Sequence, residues 1–308
     1  MSPAAIRVGT CSWTEKSLLE SGAFYPAGIS SPEARLKYYA SRFDTVEIDS
    51  SYYALPSRQM AEAWCQRTPE RFLFHVKAYG ALTGHCIDPG LLPAELRKLL
   101  PTADRQHSEV HVSESEPLRE MAAAMVEALV PLKKAGKLGF LIFQFPPWFT
   151  CKNANRDYIL HCKELMQGLP IAVEFRHGSW LTRQHAAETF AFLKEHKITY
   201  ITCDEPQLGT LETAPFRPEA TTSMAYLRMH GRNPDRWLNP SINQAEYLYN
   251  EDEITSLASL ARRLSFKART VFIMFNNCQS GNAIVNARQL QERLLRQSGD
   301  LGHSQEGL

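Results

Sequence analysis

The sequence predicts a single α/β domain, a (β/α)8 TIM-barrel-like fold, from three observations. Several strand-like stretches carry one strongly apolar face and one face of ionisable or amide groups. Helical stretches separate most of the strands, which predicts that they run parallel. Eight strands succeed one another with no linker or break in composition, which is what a (β/α)8 barrel requires. Parallel strands are covered by helices, so the polar faces must look into an enclosed space, and the centre of a closed barrel is one. A doubly wound open sheet would leave those faces unexplained. The chain has no GxGxxG and no P-loop motif, so dinucleotide and P-loop readings lack support.

The inverted faces follow from the alternation of strand side chains. In Ile171-Ala172-Val173-Glu174-Phe175-Arg176, the apolar Ile171, Val173 and Phe175 oppose Glu174 and Arg176. Glu47 and Asp49 oppose Val46 and Ile48, and His75 and Lys77 oppose Phe72, Phe74 and Val76. Gln144 stands against Leu141, Phe143 and Phe145, and Tyr226, Arg228 and His230 oppose Leu227 and Met229. A buried charge is costly unless paired and hydrogen-bonded, so the interior has to supply partners.

The 308 residues are enough to bury a sizeable core. With 34 basic and 33 acidic residues the net charge is +1, which gives no bulk attraction to nucleic acid or an anionic membrane. No apolar run approaches the ~20 residues that span a bilayer, and the first residues lack the pattern of a signal peptide. Seven cysteines, an odd number without a CxxC pair, suit a reducing compartment. A cytoplasmic location is the expectation.

The elements are expected in this order. Ile6–Ser12 is the first strand, followed by a loop with Trp13, Phe24, Tyr25 and Pro26. Ser31 caps a helix with Pro32 at its first position, carrying Leu36, Tyr39, Ala40 and Phe43 at helical spacing. Strand two spans Thr45–Ser50, a helix opens at Pro56-Ser57, and strand three spans Phe72–Ala78. The insertion over 79–116 is the longest irregular region, with a short helix around Leu92–Leu100, and such insertions are usually lids or mobile loops. A helix over Pro117–Lys134 ends at Ala135-Gly136. Strand four is Leu138–Phe145, a helix follows over Arg156–Met166, then strand five, then a helix over Thr182–Glu195. Strands six and seven are Ile198–Cys203 and Met224–His230. A helix over Asp252–Leu264, strand eight at Thr270–Phe275 and a helix over Ala283–Leu295 complete a domain of residues 1–297. Residues 298–308 form a polar tail.

In such barrels the active site lies at the C-terminal strand ends. The residues expected there are Ser12, Trp13, Asp49, Ser50, Tyr52, Tyr53, Lys77, Thr83, His85, Gln144, Trp148, Arg176, His177, Trp180, Asp204, Arg228, His230, Asn276 and Asn277. Lys77, Arg176 and Arg228 would bind a carboxylate or phosphate if they converge. The bland alternative is a salt network with Glu47, Asp49 and Glu174. Glu174, His230 and Asp49 are the candidates for proton transfer. Trp13, Tyr52, Tyr53, Trp148, Trp180 and Trp237 offer stacking surfaces, with packing among loops as the plainer reading. Glu47, Glu174, Asp204 and His230 could ligate a divalent ion, although the nearby cations argue against it and no metal ligand is assigned. Cys11 and Cys203 fall beside strand ends, where buried inert thiols are commoner than nucleophiles.

These stretches together resemble the YecE-like family, catalogued as domain of unknown function 72. The resemblance rests on Gly9-Thr10-Cys11-Ser12-Trp13, Phe24-Tyr25-Pro26, Arg35-Leu36-Lys37-Tyr38-Tyr39-Ala40, Val46 through Tyr53, and Phe74-His75-Val76-Lys77-Ala78. It continues through Phe143-Gln144-Phe145-Pro146-Pro147, Val173-Glu174-Phe175-Arg176-His177, Leu227-Arg228-Met229-His230-Gly231 and Phe275-Asn276-Asn277. It implies a TIM-barrel-like fold and no established activity. Two departures stand out: Asp49 occupies a position where the family favours Asn, and Gly84 separates Thr83 from His85, which the family tends to place side by side.

The leading expectation is an enzyme, a hydrolase, lyase or isomerase, acting on a small anionic compound of phosphorylated or carboxylated, sugar- or nucleotide-like kind. Lys77, Arg176 and Arg228 would bind it, with Ser12, Trp13, Tyr53, Gln144, Trp180, Asn276 and Asn277 around it. The alternatives are a non-catalytic module for an anion, metabolite or protein, and a divalent-metal-dependent hydrolase or isomerase. The cofactor is unknown. The expected partner is the small anionic ligand, with no membrane, nucleic acid unlikely and protein partners unknown.

Overall fold

The computed structural model describes residues 4–235 and 247–303. Eight strands, all parallel, form one sheet: β1 Ala5–Thr10, β2 Thr45–Ile48, β3 Leu73–Lys77, β4 Leu138–Phe145, β5 Ile171–Phe175, β6 Thr199–Asp204, β7 Met224–Met229 and β8 Thr270–Phe275. Their order is β1-β8-β7-β6-β5-β4-β3-β2, and a single bridge between Cys11 and Glu47 joins the two ends into a nearly closed barrel. The predicted fold class is therefore correct. The helices pack outside, among them α1 Lys16–Ser21, α2 Pro32–Ala40 and α3 Arg58–Gln66. No helix among the described residues is long and apolar enough to cross a membrane.

The alternation places two cores. Ile171, Val173 and Phe175 join the large cluster between barrel and helices, while Ala172 joins Phe140, Ile142, Ile201, Tyr226, Phe272 and Met274 inside the bore. The floor of the bore is aromatic. His75 is fully buried there, 4.5 Å from Phe272, 4.9 Å from Tyr226 and 5.6 Å from Phe140 between ring centroids. Above the floor the inward positions turn ionisable, which sets the level of the site.

The join between β1 and β2 is built differently from the others. The Thr10 amide donates to the Tyr39 hydroxyl at 3.0 Å, and that hydroxyl lies 3.2 Å from the Thr45 carbonyl oxygen. A side chain from α2 thus stands in for a ladder hydrogen bond. Lower down the strands approach closely, and a Cβ on Gly9 would collide with the Thr45 carbonyl oxygen.

Several boundaries differ from expectation for identifiable reasons. Residues 117–134 form two helices, α5 Ser115–Ala128 and α6 Val130–Lys134, because Pro131 has no N–H to continue the first. A 3-10 turn over Gly178–Leu181 precedes the helix Ala186–Glu195, which begins at Ala186 rather than Thr182. The last helix runs Asn282–His303, past the expected end at Leu295. The 79–116 insertion contains α4, Ala94–Arg97, and an Ile87–Val110 bridge. Its Ile87, Leu92, Leu100, Val110 and Val112 are buried in the main core, so it is packed down rather than loose. Trp237 lies outside the described residues.

Candidate functional site

Register carries the polar residues to one level. β7 carries Arg228 and His230 inward above Tyr226, β2 leads to Glu47 and Asp49, and β5 to Glu174 and Arg176, all above the aromatic floor. Arg228 has no exposed surface. Its Nη2 lies 2.7 Å from Glu47, its Nη1 lies 2.5 Å from Glu174, and Nη1 also donates to Gln144 at 2.9 Å. The Tyr226 hydroxyl donates to the other Glu47 oxygen at 2.9 Å. Arg228 therefore binds carboxylates of its own chain, as the salt-network alternative anticipated, and offers no surface to a ligand.

A second layer sits on the first. Arg176 Nη1 is 3.1 Å from Glu174 and 3.5 Å from Glu205. His230 Nε2 faces Glu174 at 3.2 Å, and its Nδ1 accepts from the Asn276 amide at 3.0 Å, which leaves the ring proton on Nε2. Both nitrogens of His230 are thus engaged.

The electrostatics separate the carboxyls. Burial alone would raise Glu174, but Arg228, His230 and Arg176 together hold it well below the usual range. Glu47 is pushed up to about 8 by burial against the pull of Arg228, with Asp49 adding to the rise. Burial likewise lifts Glu205 to about 7 against Arg176. His230 is lowered to about 4, first by burial, with Glu174 opposing. At neutral pH the network therefore holds a charged Glu174, a neutral imidazole and carboxyls that keep their protons unusually late.

The rim is more open. Asp49 retains about a quarter of its side-chain surface; its buried Oδ1 lies 3.5 Å from Arg228 and has no hydrogen bond. Asp49 and Lys77 each follow the last β2–β3 pair, Ile48–Val76, and the charge of Lys77 acts on Glu47. Lys77 lies over the Tyr52 ring at 4.6 Å and makes no ion pair among the described residues. Tyr52 meets Tyr53 and His85 edge-on, and His85 meets the exposed Trp148. The Thr83 hydroxyl lies 2.8 Å from His85 Nδ1, so these two residues meet although Gly84 separates them. Tyr53 is exposed, and Ser12 and Trp13 line a cleft beside Asp49.

Other expected residues lie elsewhere. Trp180 is fully buried outside the barrel, stacked 4.2 Å from Phe175 and 5.8 Å from Phe149, because its turn folds back onto the helix layer. Asn277 is buried and donates to the Tyr247 carbonyl and to Asn286; strand parity sends Asn276 inward and Asn277 outward. His177 accepts from the Ser179 amide and caps the turn. Asp204 faces outward, held by two 2.7 Å bonds from Arg232. Glu205 enters the mouth instead. The Ile201, Cys203, Glu205 alternation in the sequence carries that signal.

Among the described residues two groups of side chains have metal-like spacing: Cys11, Glu47 and Asp49, and Glu174, Cys203 and His230. In the first, Arg228 Nη2 already stands 2.7 Å from Glu47, 3.5 Å from Asp49 and 3.9 Å from Cys11. In the second, Arg176 Nη1 lies 3.1 Å from Glu174 and 3.4 Å from His230. Burial holds both thiols protonated. A guanidinium takes the cation's place in each group, and these residues do not fit a divalent ion.

The family model described as "Protein of unknown function DUF72" matches residues 7–306. UPF0759 protein YunF of Bacillus subtilis (strain 168) is 32% identical over 295 residues, 94% of each chain. A solved DUF72 family protein of Enterococcus faecalis V583 is 29% identical, with a TM-score of 0.76 over 94% of this chain and 95% of that one. Another, of Thermotoga maritima MSB8, is 29% identical, with a TM-score of 0.74 over 94% and 99%.

Proposed function

The chain belongs to the DUF72 family, whose function is unassigned, and from that premise we propose that it is an enzyme acting on a small anionic compound at the C-terminal mouth of the barrel. One observation carries the reading: an open carboxylate, Asp49, and a cation without an ion pair among the described residues, Lys77, follow directly on the last pair between β2 and β3, above a sealed charge network. Lys77 and the part-exposed Arg176 would hold the anion. Asp49 is the proton-transfer group within reach of a ligand, because His230 and Glu174 are engaged on their own partners. Glu174, Gln144 and Arg228 act as positioning residues beneath them. The expense of burying so many charges, where apolar packing is often as stable, favours a chemical purpose for the layer.

The test is calorimetric titration with inorganic phosphate and a panel of phosphorylated and carboxylated metabolites, followed by turnover assays on whatever binds. Lys77→Ala is expected to weaken binding about tenfold, equivalent to ~1.4 kcal/mol. Asp49→Asn is expected to keep binding and lose turnover. Binding that ignores Lys77→Ala removes the anion site. Saturable binding without turnover by the unaltered protein leaves a binding module in place of an enzyme.

A further inference from the structure

The seam between β1 and β2 opens upward into a cleft of about 610 Å³, within the range of small-molecule sites. At its inner end stand Glu47 and Asp49, the same Asp49 that reaches the barrel mouth. Its walls include Trp13 and Trp64, whose rings meet edge to face at 6.4 Å and form an aromatic corner. Trp64 is buried and stacks on Phe74 at 6.0 Å, so the half-buried Trp13 is the indole left to take a planar ring, with Trp64 fixing its orientation.

Two further features mark the cleft as built for a ligand. Arg35, on the α2 side, makes no ion pair among the described residues and has a buried Nε without a hydrogen-bond partner. An unpaired buried donor costs about 1–3 kcal/mol unless something accepts from it. Ser12, at the cleft's edge, has a φ of +120°, a conformation side chains other than glycine rarely adopt and one that gathers at functional sites.

We propose that this cleft holds the ring of the ligand whose anion lies against Lys77, and that the ligand is a nucleoside monophosphate or a close analogue. Three placements follow from the chemistry. The heteroaromatic base stacks on Trp13. Its acceptor edge takes hydrogen bonds from Arg35, as a guanidinium reads guanine O6 and N7. The sugar then crosses Asp49, between the base and a phosphate held by Lys77. The inference rests on the proposed anion site and adds to it the ring, and therefore the substrate class.

The experiment titrates guanosine 5′-monophosphate, ribose 5-phosphate and inorganic phosphate into the intact protein and into Trp13→Leu, Arg35→Met and Lys77→Ala, each checked for a native unfolding transition. The monophosphate should bind at least tenfold more tightly than ribose 5-phosphate. Trp13→Leu and Arg35→Met should each reduce it towards the ribose 5-phosphate level while leaving ribose 5-phosphate unchanged, and Lys77→Ala should weaken both. Because Trp13 packs on Trp64, the Arg35→Met arm stands if Trp13→Leu folds poorly. Equal affinity for the two sugar phosphates, or a base advantage that survives Arg35→Met, overturns the cleft inference and leaves the anion site standing. Failure of all three to bind, or indifference to Lys77→Ala, overturns both.

Discussion

Arg228 shows how a residue chosen for one role performs another. Its guanidinium is wholly buried between Glu47, Glu174 and Gln144, so its removal strands the charged Glu174 and leaves Glu47 without its ion partner, both away from solvent. Breaking a buried pair by deleting one partner costs about 3–5 kcal/mol. Arg228→Met is therefore expected to lose that much stability in chemical denaturation, and a near-native midpoint would show that the network does not hold the mouth together. His75 gives the opposite case. Neither ring nitrogen has a hydrogen-bond partner, and burial pushes its pKa down to about 3. Its folded pKa lies below the unfolded value, so the unfolded chain binds the extra proton and stability falls as pH drops from about 6.5 towards 3. His75→Leu should match or exceed the native protein at pH 7.5. Its advantage should grow to about 3 kcal/mol at pH 4, and a difference that stays flat across that range would refute the account. The sequence exposed His75 and Arg228 as inward-facing, because alternation reports the face. It could not report which of them has partners, since those arrive from strands far away in the chain.

Among the elements, β1 is the most constrained. Gly9 lies where β1 passes closest to β2, with no room for a methyl group. Gly9→Ala should cost about 1–3 kcal/mol, the usual range for overpacking, and should loosen the join above it, readable as faster exchange of the Thr10 amide that donates to the Tyr39 hydroxyl. Unchanged exchange and stability would mean that the seam can give. The strand ends show where pattern reading stops. β6 continues to Asp204, one residue beyond the expected Cys203, so Asp204 faces Arg232 and Glu205 reaches the bore. Val173-Glu174-Phe175-Arg176 was readable because its polar face is unmistakable. Trp180 was not, because beyond the last strand residue its 3-10 turn leaves no period to say which way a side chain turns.

At the scale of the whole molecule, the strand count, the parallel order and the two cores follow from the apolar alternation. The open join between β1 and β2 does not, because it depends on Tyr39 reaching from a helix to two strands. That join has a topological consequence. In space the strands run two to eight and then one, with every ladder formed between those neighbours. The first strand is paired along its length with the last, and among the described residues its one bridge to the second is Cys11–Glu47. A circular permutant cut between Ala40 and Thr45, with the original ends linked, would begin with β2 and finish with β1 and α2, keeping all seven ladders. Its new termini would fall at the joint where the barrel is held by the Tyr39 hydroxyl and a single backbone bridge.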